Sequence, residues 1–151
     1  MKKLSVAILP ALIVPIALSA QKSKDAWIGT WQLNVAKSSY SPGPGLRSET
    51  ITIGGDGKVT VQGINSNGQA VTWSYTYSEG TEVPIAGMEN ASVIEKRTGK
   101  TLEHMWKMAN AISTGKGVLS KNGKVMTYTL DGADTQGHHE HDVLVFDKQP
   151  S

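Results

Sequence analysis

Apolar and polar positions alternate with a period of two along most of the chain. Val71, Trp73, Tyr75 and Tyr77 fall on one side of an extended segment, and Thr72, Ser74 and Thr76 on the other. Ile51 and Ile53 alternate with Thr50 and Thr52, and Val59 and Val61 flank Thr60. Met126, Tyr128 and Leu130 alternate with Thr127 and Thr129, and Leu144 and Phe146 sit opposite Val143 and Val145. Successive side chains of a strand point to opposite faces, so each segment reads as a strand with one face buried. Turn signals separate them: Gly54-Gly55-Asp56-Gly57, Asn65-Ser66-Asn67-Gly68, Ser78-Glu79-Gly80, Thr98-Gly99-Lys100, Lys121-Asn122-Gly123-Lys124 and Asp131-Gly132. Asn-Gly and Asp-Gly tolerate the positive φ angles of tight hairpins. The pattern predicts about ten strands, near 27–33, 47–53, 58–63, 70–78, 81–86, 91–97, 101–108, 111–119, 124–130 and 138–148.

One stretch fits two periods. Leu102, Met105, Trp106, Ala109 and Ile112 have the spacing of an amphipathic helix. The alternative puts Leu102, His104, Trp106 and Met108 on one face of a strand, and the hairpin series favours it. Many short antiparallel strands must hide their edges, and closing the sheet removes them. The expected fold is therefore all-β, a single antiparallel up-and-down barrel of about eight to ten strands. Periodicity by itself also permits a two-sheet sandwich.

The amino-terminal segment follows a different logic. Lys2 and Lys3 precede an apolar run from Leu4 to Leu18 that Pro10 and Pro15 interrupt, and the small residues Ala17, Ser19 and Ala20 follow. This is the order of a secretory leader, too short to span a bilayer comfortably. Residues 1–20 are expected to be a removed signal peptide and 21–151 a single domain, exported to the periplasm or secreted. The chain carries 15 Lys and Arg against 13 Asp and Glu, so losing Lys2 and Lys3 leaves the mature chain formally neutral. A neutral surface gives no electrostatic case for nucleic acid or for an anionic membrane. With no cysteine, the domain must rest on its core rather than on disulfides.

The stretch Trp27-Ile28-Gly29-Thr30-Trp31-Gln32-Leu33 resembles the opening strand of the calycin superfamily, the lipocalins and fatty-acid-binding proteins. Trp106, then Ser113–Ser120, Lys121-Asn122-Gly123-Lys124 and Val125–Leu130 resemble the later hairpins of the fatty-acid-binding proteins, and Val143–Lys148 their last strand. The run Gly29–Pro44, with Gly-Thr-Trp, Lys-Ser and Ser-Pro-Gly-Pro, is similar to uncharacterised exported bacterial proteins of lipocalin-like type. The resemblance implies a barrel around a small hydrophobic or aromatic molecule, with Trp31 plugging its base. Two departures qualify it. Leu144 and Phe146 stand where the resemblance would place the Arg and Tyr that hold a fatty-acid carboxylate, and Asn34–Leu46, with Pro42 and Pro44, leaves room for a flap rather than two helices.

The ligand-binding candidates are Trp73, Tyr75, Tyr77, Leu102, His104 and Trp106, all on inward strand faces. His104 is also the candidate general acid or base, because imidazole titrates near neutral pH. A cofactor-free isomerase, lyase or cyclase using that cavity, or a His-ligated metal or haem protein, is the alternative function. His139 and His141 point the same way on a strand and are weak metal candidates, with His104 the only other histidine outside the cluster His138–His141. Glu79, Glu82, Glu89 and Glu95 read as solvated strand edges and turns. No nucleophile elbow or phosphate-binding loop occurs, and no cofactor is expected. Mass spectrometry of the exported protein is expected to find a mature amino terminus at Ala20 or Gln21; an intact Met1 would reject the leader.

Overall fold

The computed structural model describes residues 25–133 and 136–151; the predicted leader lies outside them. Eleven strands are present among the described residues: β1 (Gly29–Leu33), β2 (Ser39–Ser41), β3 (Ser48–Ile53), β4 (Lys58–Ile64), β5 (Ala70–Thr76), β6 (Glu82–Pro84), β7 (Ser92–Thr98), β8 (Thr101–Met108), β9 (Ala111–Leu119), β10 (Val125–Ala133) and β11 (His139–Lys148). They form one antiparallel sheet in the order β5-β4-β3-β1-β11-β10-β9-β8-β7-β6, with β2 also on β11. The two ends of that order meet where Ser74 and Ala86 exchange backbone hydrogen bonds of 2.9 and 2.8 Å. The result is a nearly closed barrel rather than two stacked sheets. No helix among the described residues is long and apolar enough to cross a membrane.

The helical reading of 102–112 fails. β8 and β9 form a hairpin in which His104 faces Gly115 and Trp106 faces Ser113. Met105 and Ile112, which a helix would have buried, are exposed on the outer face. Pairing on both sides satisfies the backbone groups of successive residues in turn, which outweighs the local periodicity. The predicted strand at 81–86 shrinks to β6, whose last residue, Pro84, has no N–H to give to a ladder.

The segment expected to be a flap is more ordered than that. After β1 the chain makes a 3-10 turn, Val35–Lys37, then resumes pairing with β11 as β2. Asn34 sets this detour. Its Oδ1 accepts from the Lys37 N–H at 3.2 Å and its Nδ2 donates to Asp147 at 2.7 Å. Ser38 Oγ donates to the Asn34 carbonyl and accepts from the Val145 N–H, so the ladder along β11 is bridged across the turn.

One end of the barrel is plugged by aromatics. Trp31 is fully buried, and its Nε1 donates to the Trp27 carbonyl at 2.9 Å. Trp27 Nε1 in turn donates to the Gly99 carbonyl in the β7–β8 turn at 3.0 Å. Lys148 lies 4.8 Å above the Trp31 ring and donates to the Ala26 carbonyl. Gly29, at φ +139°, is required there: a Cβ would come within 2.8 Å of Lys148 Cε. Phe146, Met126, Val61 and Val93 are also fully buried. Trp31→Ala is expected to cost about 3–5 kcal/mol, read as a lower urea midpoint at unchanged slope; a loss below about 1 kcal/mol would show that the plug is dispensable.

Candidate functional site

The inner faces leave a hollow. Its volume is about 390 Å³, within the range typical of small-molecule pockets. The space exists because β9 presents Ala111, Ser113, Gly115 and Gly117 inward, opposite Met108, Trp106, His104 and Leu102 of β8. A Cβ on Gly117 would strike the Tyr128 ring at 2.9 Å, and one on Gly115 would lie 2.5 Å from the His104 ring. Both rings therefore lie flat across β9, stacked on each other at 4.5 Å with planes 4° apart.

Of the six binding candidates, four line the cavity: Trp73, Tyr75, Leu102 and Trp106. Trp73 and Trp106 meet edge to face with centroids 4.8 Å apart, and Tyr75 lies nearly parallel to Trp73 at 6.1 Å. Tyr77 and His104 are not part of that lining. Tyr77 sits beyond the end of β5, under the Arg97 guanidinium at 4.1 Å, with its hydroxyl on the Glu79 carboxylate. His104 is only 5% exposed, and neither ring nitrogen has a hydrogen-bond partner among the described residues. Burial pushes its pKa down from 6.5 to about 4, so it is a neutral imidazole at physiological pH and a weak base.

The metal candidates separate in space. His139 and His141 share the exposed outer face of β11, where His141 Nδ1 pairs with Asp131 at 2.5 Å. His104 points inward from β8, so it cannot join them. Among the described residues no group of three or more His, Asp or Glu side chains is placed to hold a metal ion.

The polar groups that do reach the cavity were read from the sequence as solvated or were not singled out. Glu95 on β7, expected at a solvated edge, is 3% exposed. Its Oε1 accepts from the Tyr75 hydroxyl at 2.7 Å, and its Oε2 has no partner among the described residues. Burial raises its pKa, with the Tyr75 hydrogen bond, Arg97 and the Tyr128 hydroxyl opposing. Glu49, on the inner face of β3 with Ile51 and Ile53, is raised by burial from 4.5 to about 7. Asp142, inward on β11, is also raised, chiefly by burial. The available signal was period two: Glu95 shares a face with Val93, and Glu49 with Ile51, but a carboxylate on an apolar face is discounted by its desolvation cost.

Known structures of similar shape have low sequence identity to this chain. A fluorescent protein, UnaG, matches with a TM-score of 0.51 at 14% identity, covering 82% of this chain and 97% of its own. The fatty-acid-binding protein 1 of Echinococcus granulosus matches with a TM-score of 0.52 at 11% identity, covering 84% of this chain and 100% of its own. These likenesses establish a shared barrel fold of the fatty-acid-binding-protein kind. No protein-family model and no curated protein matches the sequence.

Two buried groups give stability an opposed pH dependence. His104 titrates at about 4 when folded and 6.5 when not, so its contribution is whole above pH 6.5 and is lost as pH falls toward 4. Glu49 titrates at about 7 when folded against 4.5, so its contribution is whole below pH 4.5 and is lost as pH rises toward 7. In urea titrations across this range, His104→Phe is expected to remove the loss on the acid side, and Glu49→Gln the loss on the neutral side. Unchanged slopes would show that these side chains are solvated.

Proposed function

We propose that this protein is an exported, single-domain binding protein for a small hydrophobic or aromatic molecule, of the lipocalin-like kind the opening strand suggests. The observation that carries the reading is the cavity of about 390 Å³ between apolar and aromatic walls. A ligand that buries about 250 Å² of apolar surface there gains about 6 kcal/mol, before the cost of association. Trp73 and Trp106 supply flat walls for an aromatic ring. One of the similar structures is named a fatty-acid-binding protein, which supports an apolar cargo. The carboxylate anchor is a separate matter: Leu144 and Phe146 are buried apolar residues on the inner face of β11.

Binding is favoured over catalysis by the state of His104. Neither ring nitrogen has a hydrogen-bond partner among the described residues, and it lies outside the cavity lining. The uncharged dye N-phenyl-1-naphthylamine is expected to bind saturably at one site, quenching tryptophan fluorescence. Ser113→Phe, which grows a ring into the cavity from β9, is expected to weaken that binding by about tenfold or more. Absence of saturable quenching in the folded protein would reject the binding role.

A further inference from the structure

The charge of the interior is one-sided. Three acids, Glu49, Glu95 and Asp142, line the cavity against one cation, Arg97. Arg97 is turned to the plugged end: its guanidinium lies 4.1 Å over the Tyr77 ring and 5.5 Å over Trp27, and its Nη1 is 3.9 Å from Asp25. This single cation is therefore shared between the base and Glu95, whose pKa it pulls down. An anion brought into this space would meet like charge wherever these acids are ionised, and repulsion is strong in a low-dielectric setting. A cation or hydrogen-bond donor would relieve it.

Glu95 is where such a donor is missing. The side chain is 3% exposed; Oε1 takes the Tyr75 hydroxyl at 2.7 Å, the Tyr128 hydroxyl also acts on the carboxyl, and Oε2 has no partner within hydrogen-bond distance among the described residues. Leaving a buried polar atom without a partner is costly. Tyr75, which holds the other oxygen, stacks beside Trp73, and Trp73 packs against Trp106. The open oxygen thus adjoins a continuous aromatic wall, and aromatic faces attract organic cations.

We propose that the cavity's ligand is an apolar amine, its nitrogen hydrogen-bonded to Glu95 Oε2 and its hydrocarbon part against Trp73 and Trp106. The assignment rests on the binding role proposed above and narrows it to one chemical class. The raised pKa values of Glu49, Glu95 and Asp142 agree with it, since in each burial outweighs whatever hydrogen bonds and positive charge oppose it.

The test is isothermal titration of the mature chain with three matched probes: 2-(2-naphthyl)ethylamine, 2-(2-naphthyl)ethanol and 2-naphthylacetate. The amine is expected to bind about tenfold or more tighter than the alcohol, and the alcohol tighter than the carboxylate. Glu95→Gln, with its fold checked by thermal melting, is expected to erase the amine's advantage and leave the alcohol's affinity within about threefold. Because Arg97 Nε also lacks a partner, the carboxylate is the decisive competitor. A carboxylate that matches or beats the amine, or an alcohol that equals it, overturns the amine assignment while the binding role stands. If none of the three binds, both fall. The wild-type order decides the matter by itself should Glu95→Gln fail to fold.

Discussion

The interior of this barrel is governed by what the inner face of β9 leaves out. A sheet bent back on itself has a fixed circumference, so the inward side chains must either fill the middle or leave it hollow. Ala111, Ser113, Gly115 and Gly117 supply almost no volume. The neighbouring strands use that room. His104 from β8 and Tyr128 from β10 lie down across the glycines as a stacked pair, and the space above them stays open. With larger residues on β9 the two rings would have to stand up into the cavity.

The same arrangement sorts the polar residues by role. His104 is pressed into the wall and held neutral by desolvation. Glu95 and Glu49 face the hollow instead. At the base, Arg97 joins Tyr77, Trp27 and Asp25, while Lys148 covers Trp31. Lys148 thus sits at the plugged end, Arg97 reaches from that end to the cavity lining, and acids outnumber it along the cavity. That distribution is opposite to what a carboxylate ligand would need, and it agrees with Leu144 and Phe146 standing where an anion clamp would be.

Strand positions were legible because alternation is a local property. Val71–Tyr77 and Met126–Leu130 declare which face is buried without reference to anything distant, and the Asn-Gly and Asp-Gly turns mark where each strand ends. Strand β2 was not legible. Ser39–Ser41 has no alternation of its own and exists because Asn34 and Ser38 carry the β11 ladder across a turn. Glu95 was misread for a related reason: a carboxylate is assumed to seek water, and only the closed sheet places it against the Tyr75 hydroxyl.

From the sequence alone came the all-β class, the direction each apolar side chain faces, and the aromatic wall of Trp73, Tyr75 and Trp106. These follow from the two-residue repeat and from the cost of exposing large apolar surface. Only the tertiary structure decided that the sheet closes, that a hollow remains, that His104 leaves its lining, and that Glu95 enters it. Those outcomes depend on which side chains from distant strands meet across the barrel, and on the volume left when they do, and no repeat along one strand encodes either.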